Sequence, residues 1–353
     1  MDSKLLVRWL LLILLCASSA SAQTIYWTGG EDIDFPNGPN SACSMTNSGY
    51  STNRPGYGRG VVNACSAGYV RSLSFTAQTS VWIHAQSTGD SDQALGLGKS
   101  GTGYSVLFAV DLNGVAYLGT WDGTTWTTLE QTASGTIPSG GATTQLDMQI
   151  SSYGASCVLN LYMNAASSPL LTYSGNCTVG GNTSLDTVFL RYLGGGYYAE
   201  GYSEIIVASS DTRALSLVTL APNANGTTQS WATPAYTNIN PISINDSNFT
   251  SDNNNGDVTQ YKMNCLPSGT FSIKDVRIVT RGTEVSGGLT HINSGFYNGS
   301  SDQLGTAAAQ TTSFFPFIND FTTNPFTSSG WQQSDIGCSS SSTTLQLELK
   351  SGT

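Results

Sequence analysis

Positive charge is what this chain has least of: Lys and Arg together number 13 in 353 residues against 23 Asp and Glu, and charged residues of every kind make up 10%. A protein that grips nucleic acid needs clustered cations to displace phosphate counterions, and anionic membrane surfaces make the same demand. Cations this sparse and scattered exclude both as partners. Histidine is rarer still, with His84 and His291 the whole supply. Neither accompanies a G-x-S-x-G elbow, which argues against a serine triad. With no C-x-x-C pair either, the chain has no zinc framework. Beyond the N-terminus no stretch sustains a 3.6-residue apolar period, and none is apolar and long enough to span a bilayer.

The N-terminus itself has Lys4 and Arg8 before an apolar run from Trp9 to Cys16, then Ala20-Ser21-Ala22. This reads as a secretory signal peptide over residues 1–22, which predicts a secreted or cell-surface protein with a mature chain of 11 basic and 22 acidic residues, net −11. Six cysteines then remain: Cys43, Cys65, Cys157, Cys177, Cys265 and Cys338. An even set in an exported chain predicts disulfides. Sequence proximity favours 43–65 and 157–177, leaving 265–338, although six cysteines allow 15 connectivities. Sequons at Asn176, Asn182, Asn225, Asn245, Asn248 and Asn298 would carry glycans only in a eukaryotic host.

The mature chain is rich in period-two alternation, the mark of strands with one face on a core and the other in water. Leu73, Phe75 and Ala77 show it, as do Leu146, Met148 and Ile150, then Leu159, Leu161 and Met163. Val188, Leu190 and Tyr192 alternate with Phe189 and Arg191, and Leu345, Leu347 and Leu349 close the chain. Asn113-Gly114 is a strong hairpin signal, and Trp121-Asp122-Gly123 turns the chain again, so a three-stranded meander is predicted. Phe271 and Ile273 change parity with Val276 and Ile278, which predicts a bulge near Lys274-Asp275. The polar break Ser209 to Arg213, before the strand-like run Leu215 to Leu220, predicts a domain boundary: 23–209, then 210–353. The fold class is all-β, two β-sandwich domains.

The order of these strands, from Ile25-Tyr26-Trp27 through the meander, LDMQI, LYMNAASSPLLTYSG and EIIVA, resembles a concanavalin A-like or laminin-G-like jelly roll. WTGGEDIDF, SEIIVASSDTR, LAPNANGTTQSWATPAYTNIN and TTNPFTSSGWQQSDI are similar, in that order, to segments of tailed-phage virion proteins in which a lectin-like sandwich precedes a second one. The resemblance implies a lectin-like first domain and a structural role, here in an exported form.

Candidate chemistry is thin. Gly96-Leu97-Gly98-Lys99-Ser100-Gly101 matches G-x-G-x-x-G, but no helix follows to hold a phosphate, so it reads as a turn between strands. Glycosidases need two carboxylates about 5–10 Å apart. The nearest sets, Glu31-Asp32-Ile33-Asp34 and Glu200 with Glu204, lack the E-x-D-x-E order of family-16 hydrolases. His84 has parity opposite Val81 and Ile83, so it leaves the core face. No cofactor is required, though calcium could be held by Asp90-Ser91-Asp92 or Asp252-Asn253-Asn254-Asn255-Gly256-Asp257. Sugar rings stack on exposed aromatics beside polar groups, which makes Tyr117, Trp121, Asp122 and Trp126 one candidate group and Tyr197, Tyr198 and Tyr202 another. Trp121, at its turn, is expected at the surface, and Trp126, entering a strand, packed. These readings predict a non-enzymatic, adhesive or structural protein that recognises a glycan or a surface or assembly protein and could form a homo-oligomer. The alternative is a carbohydrate-active enzyme on the same fold.

Overall fold

The computed structural model describes residues 23–29, 35, 45–48, 60–63, 69–87, 93–138, 143–193, 201–218, 220–233, 235–238, 249–266, 268–270, 272–284, 289–310, 315–336 and 345–352. The signal segment, Cys43, Cys65, Cys338, Tyr197, Tyr198, Glu200 and the motifs at 31–34 and 90–92 lie outside these residues.

Strands from the first half of the chain build two antiparallel sheets. The first sheet contains β1 (Ile25–Gly29), β2 (Met45–Ser48), β3 (Gly60–Asn63), β5 (Val81–Ser87), β10 (Thr144–Ser151), β11 (Cys157–Met163), β12 (Leu171–Gly175) and β14 (Tyr202–Ala208). Its order is β12-β11-β10-β5-β14-β3-β2, with β1 also along β14. The second contains β4 (Tyr69–Arg71), β6 (Gln93–Gly98), β7 (Tyr104–Val110), β8 (Ala116–Asp122), β9 (Trp126–Gln131) and β13 (Thr187–Tyr192), in the order β4-β13-β6-β7-β8-β9. The alternation read from the sequence explains the layering. Val81, Ile83 and Ala85, Leu146, Met148 and Ile150, and Leu159 and Leu161 meet Leu95, Leu97, Val106, Phe108, Leu118, Val188 and Leu190 in one core. The remaining parity faces away from that core, and it carries the chemistry described below.

Cys157 and Cys177 are bridged, Cα to Cα 5.9 Å, at the edge of that core. The bond ties the start of β11 to the segment after β12. Replacing both cysteines with alanine should cost about 3 kcal/mol, the loop-closure entropy of a roughly 20-residue ring. A denaturant melt checks this, and a midpoint unchanged from the parent would show that the ring is held by β11–β12 pairing alone. Cys265 is disulfide-bonded as well.

Three strand expectations are corrected. Residues 72–77 form no strand: Ser72, Phe75 and Gln78 donate backbone bonds at intervals of three to Val188, Asp186 and Leu185, and Phe75 stacks on Tyr26, leaving Ala77 exposed. Residues 215–218 are irregular, Leu215 closing a turn onto Thr212. In place of a bulge at 274–275, residues 272–275 are unpaired and a strand starts at Val276.

The second half pairs β15 (Pro222–Gln229), β16 (Val258–Met263), β22 (Gln346–Gly352), β18 (His291–Tyr297) and β19 (Asp302–Leu304) in that order, with β20 (Ala308–Ala309) beside β18. A separate ribbon pairs β17 (Val276–Gly282) with β21 (Phe315–Phe321). The tryptophans of two sequence motifs act as packing residues here. Trp231 is buried with Tyr261 and Leu349 and donates to the Asp257 carbonyl at 3.1 Å. Trp331 wedges edge-on against Phe296 and donates to the Phe321 carbonyl at 2.6 Å. Those motif residues serve the fold. From the ribbon, Arg277 pairs with Asp320 and donates to the Thr28 carbonyl of β1 at 2.7 Å.

Candidate functional site

The outer face of the second sheet is built by the parity opposite the core. On it lie Tyr69 and Arg71 of β4, Phe189 and Arg191 of β13, Ala94 of β6, Leu107 and Ala109 of β7, Tyr117 and Trp121 of β8, and Trp126 of β9; the apolar members pack as a cluster of their own. Two rings lie flat because glycines let them: a Cβ at Gly98 would fall 2.4 Å from the Phe189 ring, and one at Gly119 would fall 2.4 Å from the Trp126 ring.

Arg191 dominates this surface. Its row across β6 and β7 holds Ala94 and Ala109, short side chains that leave room for the guanidinium to cross the sheet. The guanidinium stacks 3.3 Å from the centroid of Trp121, a cation–π contact whose value rises with desolvation. Half-burial pushes the Arg191 pKa down to about 10, which still leaves it cationic at neutral pH. Arg71 sits over Tyr69 and Phe189, 5.7 Å and 5.9 Å from the two centroids. Among the described residues, no carboxylate stands within ion-pair distance of either arginine. Trp121 Nε1, Ser105 Oγ and Arg71 Nε are buried with no hydrogen-bond partner. Trp121 and Ser105 are opposite one another in the β7–β8 register.

The sequence candidates are redistributed. Trp121 is 6% exposed, capped by Arg191, and Trp126 is the half-exposed one, donating to Thr128 Oγ1 at 2.8 Å. That reverses the expected assignment, because the cap comes from a strand three places away in the sheet. Tyr117 is half-buried and donates to Asp111 at 2.9 Å. Asp122 is exposed and folds its own turn, accepting from Thr124 N, Thr124 Oγ1 and Thr125 N, bonds that lower its pKa. Tyr202 is a correction: it points into the core with no exposure, donates to the Gln93 carbonyl at 3.0 Å and packs edge-on to Phe108. Arg71, Arg191, Tyr69 and Phe189 were missed. Their signal was the off-core parity of YVR and VFLRY, which sets a cation beside an aromatic on each strand.

The G-x-G-x-x-G segment is the β6–β7 turn, and it holds a carboxylate where a phosphate would sit: Asp186 pairs with Lys99 and accepts from Ser100 N at 2.6 Å and Ser100 Oγ at 3.0 Å. In the 252–257 loop Asn254 donates to Asp257 at 3.0 Å. Among the described residues no group of three acidic, His or Cys side chains is placed to hold a metal.

On the outer face of the first sheet, His84 is fully buried. Its Nδ1 lies 2.9 Å from Asp147 and its Nε2 3.7 Å from Glu204. Glu204 adopts a left-handed φ of 54° at a bulge in β14. Asp147 also accepts from Thr212 Oγ1 and Gln145, and Arg213 covers Tyr162 at 4.5 Å. Residues 211–213 thereby close this cluster off from solvent, so it is structural.

No family model matches the chain, and no curated protein matches it. Solved structures of similar fold include the carbohydrate-binding module CBM66 from Bacillus subtilis, at 8% identity and TM-score 0.33 over 53% of this chain and 95% of that one. An endo-1,3-β-glucanase from Streptomyces sioyaensis matches at 9% identity and TM-score 0.30, over 54% and 96%. The alginate lyase Aly36B matches at 10% and 0.30, over 53% and 93%. The expectation of a non-enzymatic protein is corrected: the similar structures include a glucanase, a lyase and a sialidase as well as a binding module. The chain is an all-β protein of jelly-roll sandwiches.

Proposed function

We propose that this chain is a carbohydrate-active protein that engages an acidic glycan across the outer face of the second sheet. The observation that carries the reading is Arg191, a half-buried cation stacked on Trp121 with no carboxylate partner among the described residues. In a chain of formal net charge −10, two arginines on one aromatic face with no counter-ion among the described residues make a site for an anion. Trp121 Nε1 and Ser105 Oγ, both unpartnered, supply polar groups for sugar hydroxyls. Trp126 and Tyr69 supply ring faces.

Of the two carbohydrate chemistries, elimination suits these groups better than hydrolysis. Hydrolysis asks for two carboxylates poised about 5–10 Å apart, and among the described residues three of the carboxylates near this face are engaged in its turns: Asp111 by Tyr117, Asp122 by its own loop, Asp186 by Lys99. Elimination from a uronate asks for a cation to neutralise the carboxylate and a base that takes the adjacent C5 proton; the C4–C5 double bond forms as the C4–O bond breaks, and the leaving oxygen takes up the proton from that base. Arg191 provides the first. The Tyr69 phenol, opposite Arg191 in the β4–β13 register, is the candidate for the second. With its N-terminal signal segment, the chain would meet such a polymer outside the cell.

The test is calorimetric titration with polyuronates and with a neutral glucan, followed by incubation and ultraviolet detection of unsaturated uronate. Salt-sensitive binding to the acidic polymers is expected, with little to the neutral one. Equal affinity for both would remove the arginines from the reading, and binding without unsaturated product would remove the elimination step.

A further inference from the structure

A second polar site lies in the other half of the molecule. A cleft of about 420 Å³ opens over the sheet face formed by β18 and β22, lined by Asn255, His291, Asn293, Leu304, Ala307, Lys350, Ser351 and Gly352. That volume falls within the range of small-molecule sites, about 300–1,000 Å³. Register explains the convergence: Asn293 is directly opposite Lys350, and His291 is opposite Gly352, so the side chains of His291, Asn293 and Lys350 leave the sheet on one face. Asn293 Oδ1 is buried with no hydrogen-bond partner. His291 Nδ1 is engaged by Thr290 Oγ1 at 2.6 Å, which leaves Nε2 for the cleft. Among the described residues no carboxylate lies within ion-pair distance of Lys350. The nearest acid along the strand, Glu348, lies on the same face, is buried, accepts from Gln260 Nε2 at 2.6 Å, and attracts Lys350 without reaching ion-pair distance.

We infer that this cleft is a second binding site, for a single sugar acid. The cleft offers one cation, and its buried orphan is an acceptor. An ammonium asks for an anionic oxygen, and an unpaired Oδ1 asks for a donor, so the ligand must present a carboxylate and hydroxyl groups together. A bare acetate would satisfy Lys350 and leave Asn293 unpaired. Among the described residues no Trp, Tyr or Phe ring lines the cleft, so a ligand is gripped through its edges, as suits a chain end or free monosaccharide. Leu304 and Ala307 supply an apolar wall for its C–H groups. This site is separate from the Arg191 face, and either can fail without the other.

The chain's two histidines give a direct readout. Titrating the full chain with D-glucuronate should move the ring C–H resonances of His291 in proton NMR spectra and leave those of buried His84 in place. D-glucose and acetate, tested separately, should each bind at least about tenfold more weakly, because each lacks half of the complement. Lys350→Met and Asn293→Leu should each weaken glucuronate by a similar factor, while Arg191→Ala leaves this titration unchanged. Lys350→Gln carries the comparison if the methionine variant fails to fold. The inference is overturned if His291 does not respond to glucuronate, if glucose or acetate binds as well, or if the Lys350 variant titrates like the parent.

Discussion

Arg191→Ala should lower affinity for an acidic glycan by about 10- to 100-fold, the usual worth of one charge-assisted contact, with little change in thermal stability. The half-buried guanidinium caps Trp121, and a cation–π contact contributes between about 0.5–1 kcal/mol when exposed and about 2 kcal/mol when desolvated, less than the truncation of a packed ring. Arg191→Lys should recover part of the affinity, since it keeps the charge and loses the planar stack and fork. Trp121→Ala makes the contrast. Trp121 is buried under Arg191 with Leu107 and Ala109, so its truncation should cost about 3–5 kcal/mol and depress the melting temperature strongly. Binding and folding are thus expected to separate at Arg191 and to fall together at Trp121. An Arg191→Ala protein that retained full affinity, measured with its fold intact, would move the site elsewhere.

Alkaline pH should destabilise the first sandwich well before lysines titrate. Burial of His84 opposes its charging, but Asp147 at 2.9 Å and Glu204 at 3.7 Å outweigh that and raise its pKa from 6.5 to about 9. A group whose pKa is raised by folding binds its proton more tightly in the native state. Its contribution is therefore fully present below about pH 6.5 and is lost as pH rises through about 9. The full difference corresponds to about 3 kcal/mol, so denaturation midpoints should fall steadily across that window. In His84→Gln the slope should vanish, and the protein should be weaker at neutral pH by about 3–5 kcal/mol, because two buried carboxylates lose their cation. A parent protein with a flat profile from pH 6.5 to 9 would mean that His84 is neutral, sharing one hydrogen bond with Asp147.

Period-two patterning and the Asn-Gly and Asp-Gly turns were enough to determine an all-β sandwich and the β7–β8–β9 meander. Alternation is a local property, and a strand with one dry face must display it whatever it packs against. It also showed which residues leave the core, including His84, Phe189 and Arg191. What those residues meet was decided by sheet order. Arg191 reaches Trp121 across two intervening strands whose residues in its own row are Ala94 and Ala109, and His84 meets Asp147 and Glu204 from 63 and 120 positions away in the chain. Tyr202 was read with Tyr197 and Tyr198 as a surface aromatic on a polar loop, yet the β14 register turns it onto Phe108. Sequence distance carries no trace of such pairings. Strand neighbours are set by burying two whole sheet faces at once, and only that global packing puts a cation over one ring and a carboxylate against one imidazole.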